Sequence, residues 1–200
     1  MKTLSRVRFL VGLFALIGLA AAPPAHALSL FFSPLAQTVL LGQQAVVAVG
    51  IAGTAAGSPP SIGGYDFDVV FDGVILAVAE VSFGTNLGQP LSITASDASV
   101  AGRVNLAEVS LLSPAQLDGS QPDTFLLAIL TFDTLSIGTS PLQLSPILVS
   151  DAFGLPLAVL AGGGSITVTA VPEPATLSTL SLGLLVMLAM VRRQGRRPLA

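Results

Sequence analysis

The chain has 200 residues, of which 52% are hydrophobic and only 10% charged, and its formal net charge is −3. It holds no cysteine, no tryptophan, one tyrosine and one histidine. Disulfide stapling, thiol catalysis and cysteine-built metal sites are therefore excluded, and stability must come from a packed core.

The chain opens with a basic stretch, Lys2, Arg6 and Arg8, followed by an apolar and small-residue run from Phe9 to Ala22. Pro23 and Pro24 break any helix there, and Ala25-His26-Ala27 has the small-x-small form of a signal peptidase site. Residues 1–27 are accordingly expected to be a signal peptide cut after Ala27, since the 14-residue run is short of the ~20 residues of a membrane span. Cleavage removes His26 and leaves a body without imidazole or lysine. Ser-His catalysis and Schiff-base chemistry are then excluded too, and carboxylates are the only acid/base groups left.

From residue 28 the pattern is short runs rich in Val, Ile, Leu, Phe and Thr, separated by Gly, Pro, Ser, Asn and Asp. Strands are predicted near 28–33, 38–41, 44–52, 64–72, 74–83, 91–97, 102–111, 124–134, 140–149 and 164–170. The punctuation includes "GTAAGSPPSIGG", Asp72-Gly73, "GTNLGQP" and "SPAQLDGSQPD". No gap has the length and period of an amphipathic helix, so residues 28–170 read as one all-β sandwich.

Three stretches sharpen this reading. In "YDFDVVFD", Tyr65, Phe67, Val69 and Phe71 alternate with Asp66, Asp68, Val70 and Asp72, which points the aromatics to a core and the acids to water. At 102–111, Val104 and Leu106 share one parity while Ala107, Val109 and Leu111 share the other, as a β-bulge or cover on both faces would allow. "TFLLAILTF" (124–132) is apolar on both faces; it suits a central strand with its second face covered, or a sheet face that docks a partner. Asp66, Asp68 and Asp72 could seed a calcium site, but only Asp66 and Asp68 share a face and no calcium loop follows. A solvated strand face, with Asp72-Gly73 as a turn, is the simpler expectation. No cofactor or metal is expected.

The chain closes with Pro172-Glu173-Pro174, an apolar segment and Arg192, Arg193, Arg196 and Arg197. A transmembrane helix is expected over 175–191, with a basic stop at 192–197 that favours the cytoplasmic side. The two prolines keep the preceding motif extended. With both ends set aside, ten acids face the single base Arg103 between residues 28 and 171, a net charge of −9. Such a body repels phosphate backbones, so no nucleic-acid partner is expected.

The order of features in 171–200 resembles the PEP-CTERM sorting signal of Gram-negative bacteria: Pro172, Glu173 and Pro174, then one helix, then the arginine cluster. The resemblance implies processing by an exosortase-type protease, transient contact with the inner membrane through the helix, and delivery to the cell surface or an exopolysaccharide-containing matrix. Residues 28–170 resemble a cohesin domain, the sandwich module of cellulosomes. The matching stretches are "LGQQAVVAVGIAG" (41–53), "IGGYDFDVVFDGVIL" (62–76), "FLLAILTFDTLSIGTSPLQLSPILVSDAFGLPL" (125–157), which includes an Asp-x-x-Gly hairpin, and "GGGSITV" (162–168). This implies a jelly-roll of about nine strands, with one of the ten segments left as extended loop.

The implied function is non-enzymatic: adhesion or scaffolding by protein–protein binding, with a dockerin-like protein as the family's partner type. No partner-contacting residue carries over. Direct exopolysaccharide binding is the alternative, although sugar platforms favour exposed Trp and Tyr, and Tyr65 is expected in the core. A carboxylate glycosidase would need two acids ~5–9.5 Å apart in a cleft, and no pair stands out.

Overall fold

The computed structural model describes residues 28–54, 56–57, 59–171 and 176–194. The expected signal-peptide site at Ala25 and Ala27, the sorting motif Pro172, Glu173 and Pro174, and Arg196 and Arg197 lie outside the described residues.

Eleven strands form two sheets among the described residues: β1 (Leu28–Ser33), β2 (Ala36–Leu40), β3 (Gln44–Ala52), β4 (Ile62–Val70), β5 (Leu76–Phe83), β6 (Ser92–Asp97), β7 (Arg103–Ser110), β8 (Thr124–Thr134), β9 (Gly138–Asp151), β10 (Val159–Ala161) and β11 (Gly164–Thr169). One sheet runs β10-β1-β3-β8-β5 and the other β2-β11-β9-β4-β7-β6. All ten predicted segments are strands, so none is mere loop. The expected count of nine is corrected because the first and last runs each switch sheets. β1 and β10 pair in parallel in one sheet, and β2 and β11 in parallel in the other. The two runs cross over together, with Gly162 donating to the Leu30 carbonyl at 2.8 Å and Ser165 to that of Leu35 at 3.0 Å.

Alternation decides the core. Phe67 and Val69 on β4 and Val104 and Leu106 on β7 face Val47, Val49 and Ile51 on β3 and Leu127, Leu130 and Phe132 on β8, all essentially without solvent contact. Phe132 meets Phe71 edge-on at 5.1 Å. Among the described residues the core runs from Leu28 to Val168. β8 is flanked by β3 and β5; a register shift opposite Val49/Gly50 turns Leu126 and Ile129 outward, where they stay partly exposed.

Two helices accompany the sheets among the described residues. α1 (Pro114–Ser120) forms inside "SPAQLDGSQPD", a stretch expected only to separate strands. Its Ser113 cap donates from backbone N and Oγ to Gln116 Oε1 at 3.0 and 2.8 Å, and Pro114 opens the first turn. Seven residues are too few to display a helical period, but the cap and proline are the usual start signals. Just beyond it, buried Gln121 clasps Ile62, accepting from its N and donating to its O at 2.7 Å each.

α2 (Thr176–Gln194) contains the expected apolar segment with Arg192 and Arg193 at its end. The expected crossing of a membrane is a different matter, because no helix among the described residues is long and apolar enough to cross one. Leu177 to Val191 spans only about 22 Å as a helix, against ~30 Å of bilayer core.

Candidate protein-docking face

The outer surface of β6-β7-β4-β9 is built by strand register. Ile93, Val109, Gly64 and Ser150 line up across the four strands, followed by Ala95, Ala107, Asp66 and Leu148, then Asp97, Asn105 and Asp68. Each row is one strand repeat from the next, so an apolar band lies beside a polar one. Ile93, Val109 and Leu148 are each more than half exposed. Gly64 leaves a notch between them: a Cβ there would lie 3.1 Å from the Glu108 carbonyl oxygen and 3.4 Å from Val109 Cγ2.

The polar band is a connected network. Asn105 Nδ2 donates to Asp66 Oδ1 at 2.8 Å and to Asp68 Oδ1 at 2.9 Å. Arg103 completes it with a 3.2 Å ion pair to Asp68 Oδ2. Asp68 is thereby only 6% exposed, which corrects the expectation that both acids of this strand face lie in water. Two carboxylates two residues apart repel, and a shared amide with one guanidinium offsets that repulsion. At the edge, the Ser99 backbone N–H, then its hydroxyl, hold the Asp97 carboxyl below its usual value, with Arg103 adding to the effect.

Beneath this face, β7 answers the parity question at 102–111. Its pairings with β4 and β6 are regular, without a bulge. Val104, Leu106 and Glu108 point inward, while Ala107 and Val109 point out. The inward surprise is Glu108, 1% exposed, which accepts from Tyr65 Oη at 3.1 Å and from Ser92 Oγ at 2.8 Å. Tyr65 is buried as expected, and its hydroxyl also reaches the Leu127 carbonyl on the opposite sheet at 3.0 Å. Burial, then the charge of Glu108, push the Tyr65 phenol far above its usual range. These side chains tie the sheets together under the face.

Of the acids singled out, the fold brings Asp66 and Asp68 together and takes Asp72 elsewhere: its carboxylate accepts from Val74 N at 2.9 Å in the expected turn. The Asp-x-x-Gly hairpin also forms, with Asp151 Oδ1 accepting from Phe153 N at 2.9 Å and Leu155 N at 2.8 Å. No cluster of three His, Cys, Asp or Glu that could hold a metal occurs among the described residues. Ile93, Asn105, Val109 and Leu148 were not picked out as site residues by the sequence. The outward parity of Val109 was visible, but its neighbours across the sheet were not.

No protein-family model matches the sequence, and no curated protein matches it. Solved structures do. A cohesin of Clostridium acetobutylicum in solution is 21% identical over 72% of this chain and 92% of its own, with a TM-score of 0.58. The sixth cohesin of scaffoldin B from Acetivibrio cellulolyticus, solved in complex with a Cel5 dockerin, is 16% identical over 72% and 99%, with a TM-score of 0.60. A non-cellulosomal cohesin from the archaeon Archaeoglobus fulgidus is 16% identical over 76% and 97%, with a TM-score of 0.56. At these identities the likeness is one of fold, and the sandwich of this chain has the cohesin fold.

Proposed function

We propose that the protein is an exported, non-enzymatic docking module whose β6-β7-β4-β9 face binds a protein partner of the dockerin type. The observation that carries this reading is the exposed apolar band of Ile93, Val109 and Leu148 beside a preorganised polar network. An apolar centre with a polar flank is the usual anatomy of a protein interface. Exopolysaccharide binding gains no support from the geometry, because the single tyrosine is in the core. Affinity capture from the secreted matrix tests the docking reading. The partner should be held by the wild-type domain and by an Ile129→Asp variant of the opposite sheet, and lost from Val109→Asp; equal binding by all three refutes it.

The tail is read as a sorting signal: Pro172, Glu173 and Pro174 mark the site at which an exosortase-type protease acts while α2 holds the precursor at the inner membrane. The product is delivered to the cell surface or matrix. Support comes from the order of motif, apolar helix and arginine cluster. Intact-mass analysis should find a product beginning at Leu28 and ending near Pro172–Pro174. A secreted product that retains Arg192–Arg197 refutes it.

A further inference from the structure

The two ends of the sandwich differ in what leaves them. β1 begins opposite Ala52 and Val159, so the chain enters at the end that also carries α1 and the 151–155 hairpin. β11 pairs Val168 with Gly138, and Leu41 N donates to the Thr169 carbonyl at 2.9 Å. The chain therefore leaves at the opposite end, beside the turns at 41–43, 71–75, 98–102 and 134–137.

Those last three turns form one cap. Leu135 N donates to the Ile75 carbonyl at 2.8 Å and Phe71 N to that of Gly102 at 2.9 Å, while Ser136 Oγ donates to the Val74 carbonyl at 2.8 Å. The cap projects Val74, 74% exposed, with Val100, Leu135 and Ile137, and Val171, two residues past the exit strand, is exposed as well. An open cleft of about 300 Å³, lined in part by Phe71, Leu76, Val78, Val100 and Leu135, lies at the same end. Turns otherwise favour polar residues, and although the opposite end also exposes Phe153 and Leu155, only the tips at the exit end lie where the chain passes on to α2.

What lies next to them is set by chain length. Seven residue steps separate Thr169 from Thr176, where α2 begins, a reach of at most about 25 Å. Leu180, Leu182, Leu184, Leu185, Val186 and Leu188 are exposed and at helical spacing point all round the axis, the pattern of a helix surrounded by apolar material.

We propose that this cap rests on the lipid surface of the inner membrane while α2 is embedded in it, holding the sandwich with its exit end against the bilayer. The inference rests on the sorting reading of the tail. The charges at this end, Asp72, Asp97 and Asp133 against Arg103, remain negative in sum and make uncharged headgroups the better support, with anionic lipid weakening the contact. The apolar band of Ile93, Val109 and Leu148, farther from this end than the Asp97–Asp68 band, is then left clear of the membrane.

The absence of cysteine makes single-cysteine labelling clean. Leu184→Cys (helix), Ile137→Cys (cap) and Phe153→Cys (opposite end) would be made in the exported chain Leu28–Ala200. Each would carry a small fluorophore and be reconstituted with phosphatidylcholine vesicles containing brominated lipid. The expected result is quenching of the helix and cap labels, several-fold stronger at Ile137 than at Phe153, weakened at the cap by phosphatidylglycerol. Adding Val74→Asp and Leu135→Asp should abolish cap quenching and leave helix quenching intact. A quenched helix with cap and hairpin labels alike overturns the cap proposal and spares the tail reading. An unquenched helix overturns both.

Discussion

Replacing Tyr65 by phenylalanine removes one oxygen from the middle of the sandwich. That oxygen bridges β4 to the Leu127 carbonyl on β8 at 3.0 Å and to Glu108 Oε2 at 3.1 Å. The Leu127 carbonyl keeps a second donor, Gly84 N at 2.8 Å. Among the described residues Tyr65 Oη alone donates to Glu108 Oε2, and Ser92 serves Oε1. A buried acceptor stripped of its donor costs about 1–3 kcal/mol, which for a domain of this size lowers Tm by roughly 2–10 °C. Glu108→Leu alone should also destabilise, because it takes the acceptor from the Ser92 hydroxyl and leaves Tyr65 Oη only the Leu127 carbonyl. The double variant Tyr65→Phe/Glu108→Leu should cost less than the sum of the singles by about 1–3 kcal/mol, since neither partner is then orphaned. Urea unfolding followed by far-ultraviolet circular dichroism measures this, because the phenylalanine variants have no tyrosine or tryptophan to report. Additivity within about 0.5 kcal/mol would refute the coupling.

The same tyrosine supplies an alkaline test: its folded-state phenol titrates above the unfolded value of ~10, so its contribution is complete below that pH and is lost as pH rises beyond it. Tyrosinate absorbance at ~295 nm should therefore appear only together with loss of the β-sheet circular dichroism, and ordinary titration in the intact fold would contradict its burial. Gly84→Ala would drive a Cβ into the Leu126 carbonyl, and overpacking against backbone should cost ~1–3 kcal/mol or more; a neutral effect on the urea midpoint would count against the β5–β8 geometry. Asn105→Ala removes the amide shared by Asp66 and Asp68 and should destabilise by about 1–2 kcal/mol, with part of the loss recovered in high salt as the carboxylate repulsion is screened; an effect blind to salt would reject the network.

Much of the architecture was legible in the chain itself. Alternation at Tyr65, Phe67, Val69 and Phe71 determined which side of β4 enters the core, because a two-residue period leaves no other way to bury four large side chains on one strand. The Asp72 and Asp151 turns were equally local, since each carboxylate bonds backbone a few residues away. The apolar segment near the C-terminus and its arginines needed no fold to be read.

Tertiary structure decided the rest, for reasons of register and distance. Glu108 sits at an inward parity that sequence alone would assign to an apolar residue, and its place depends on Tyr65, 43 positions away, and Ser92, 16 away. The docking face exists because four strands distant in sequence bring Ile93, Val109, Gly64 and Leu148 together. The first and last runs split between sheets because crossing together lets each satisfy its backbone in both, a pairing invisible in either run alone. Local periodicity determined what each strand buries; only strand order determined what the exposed faces present.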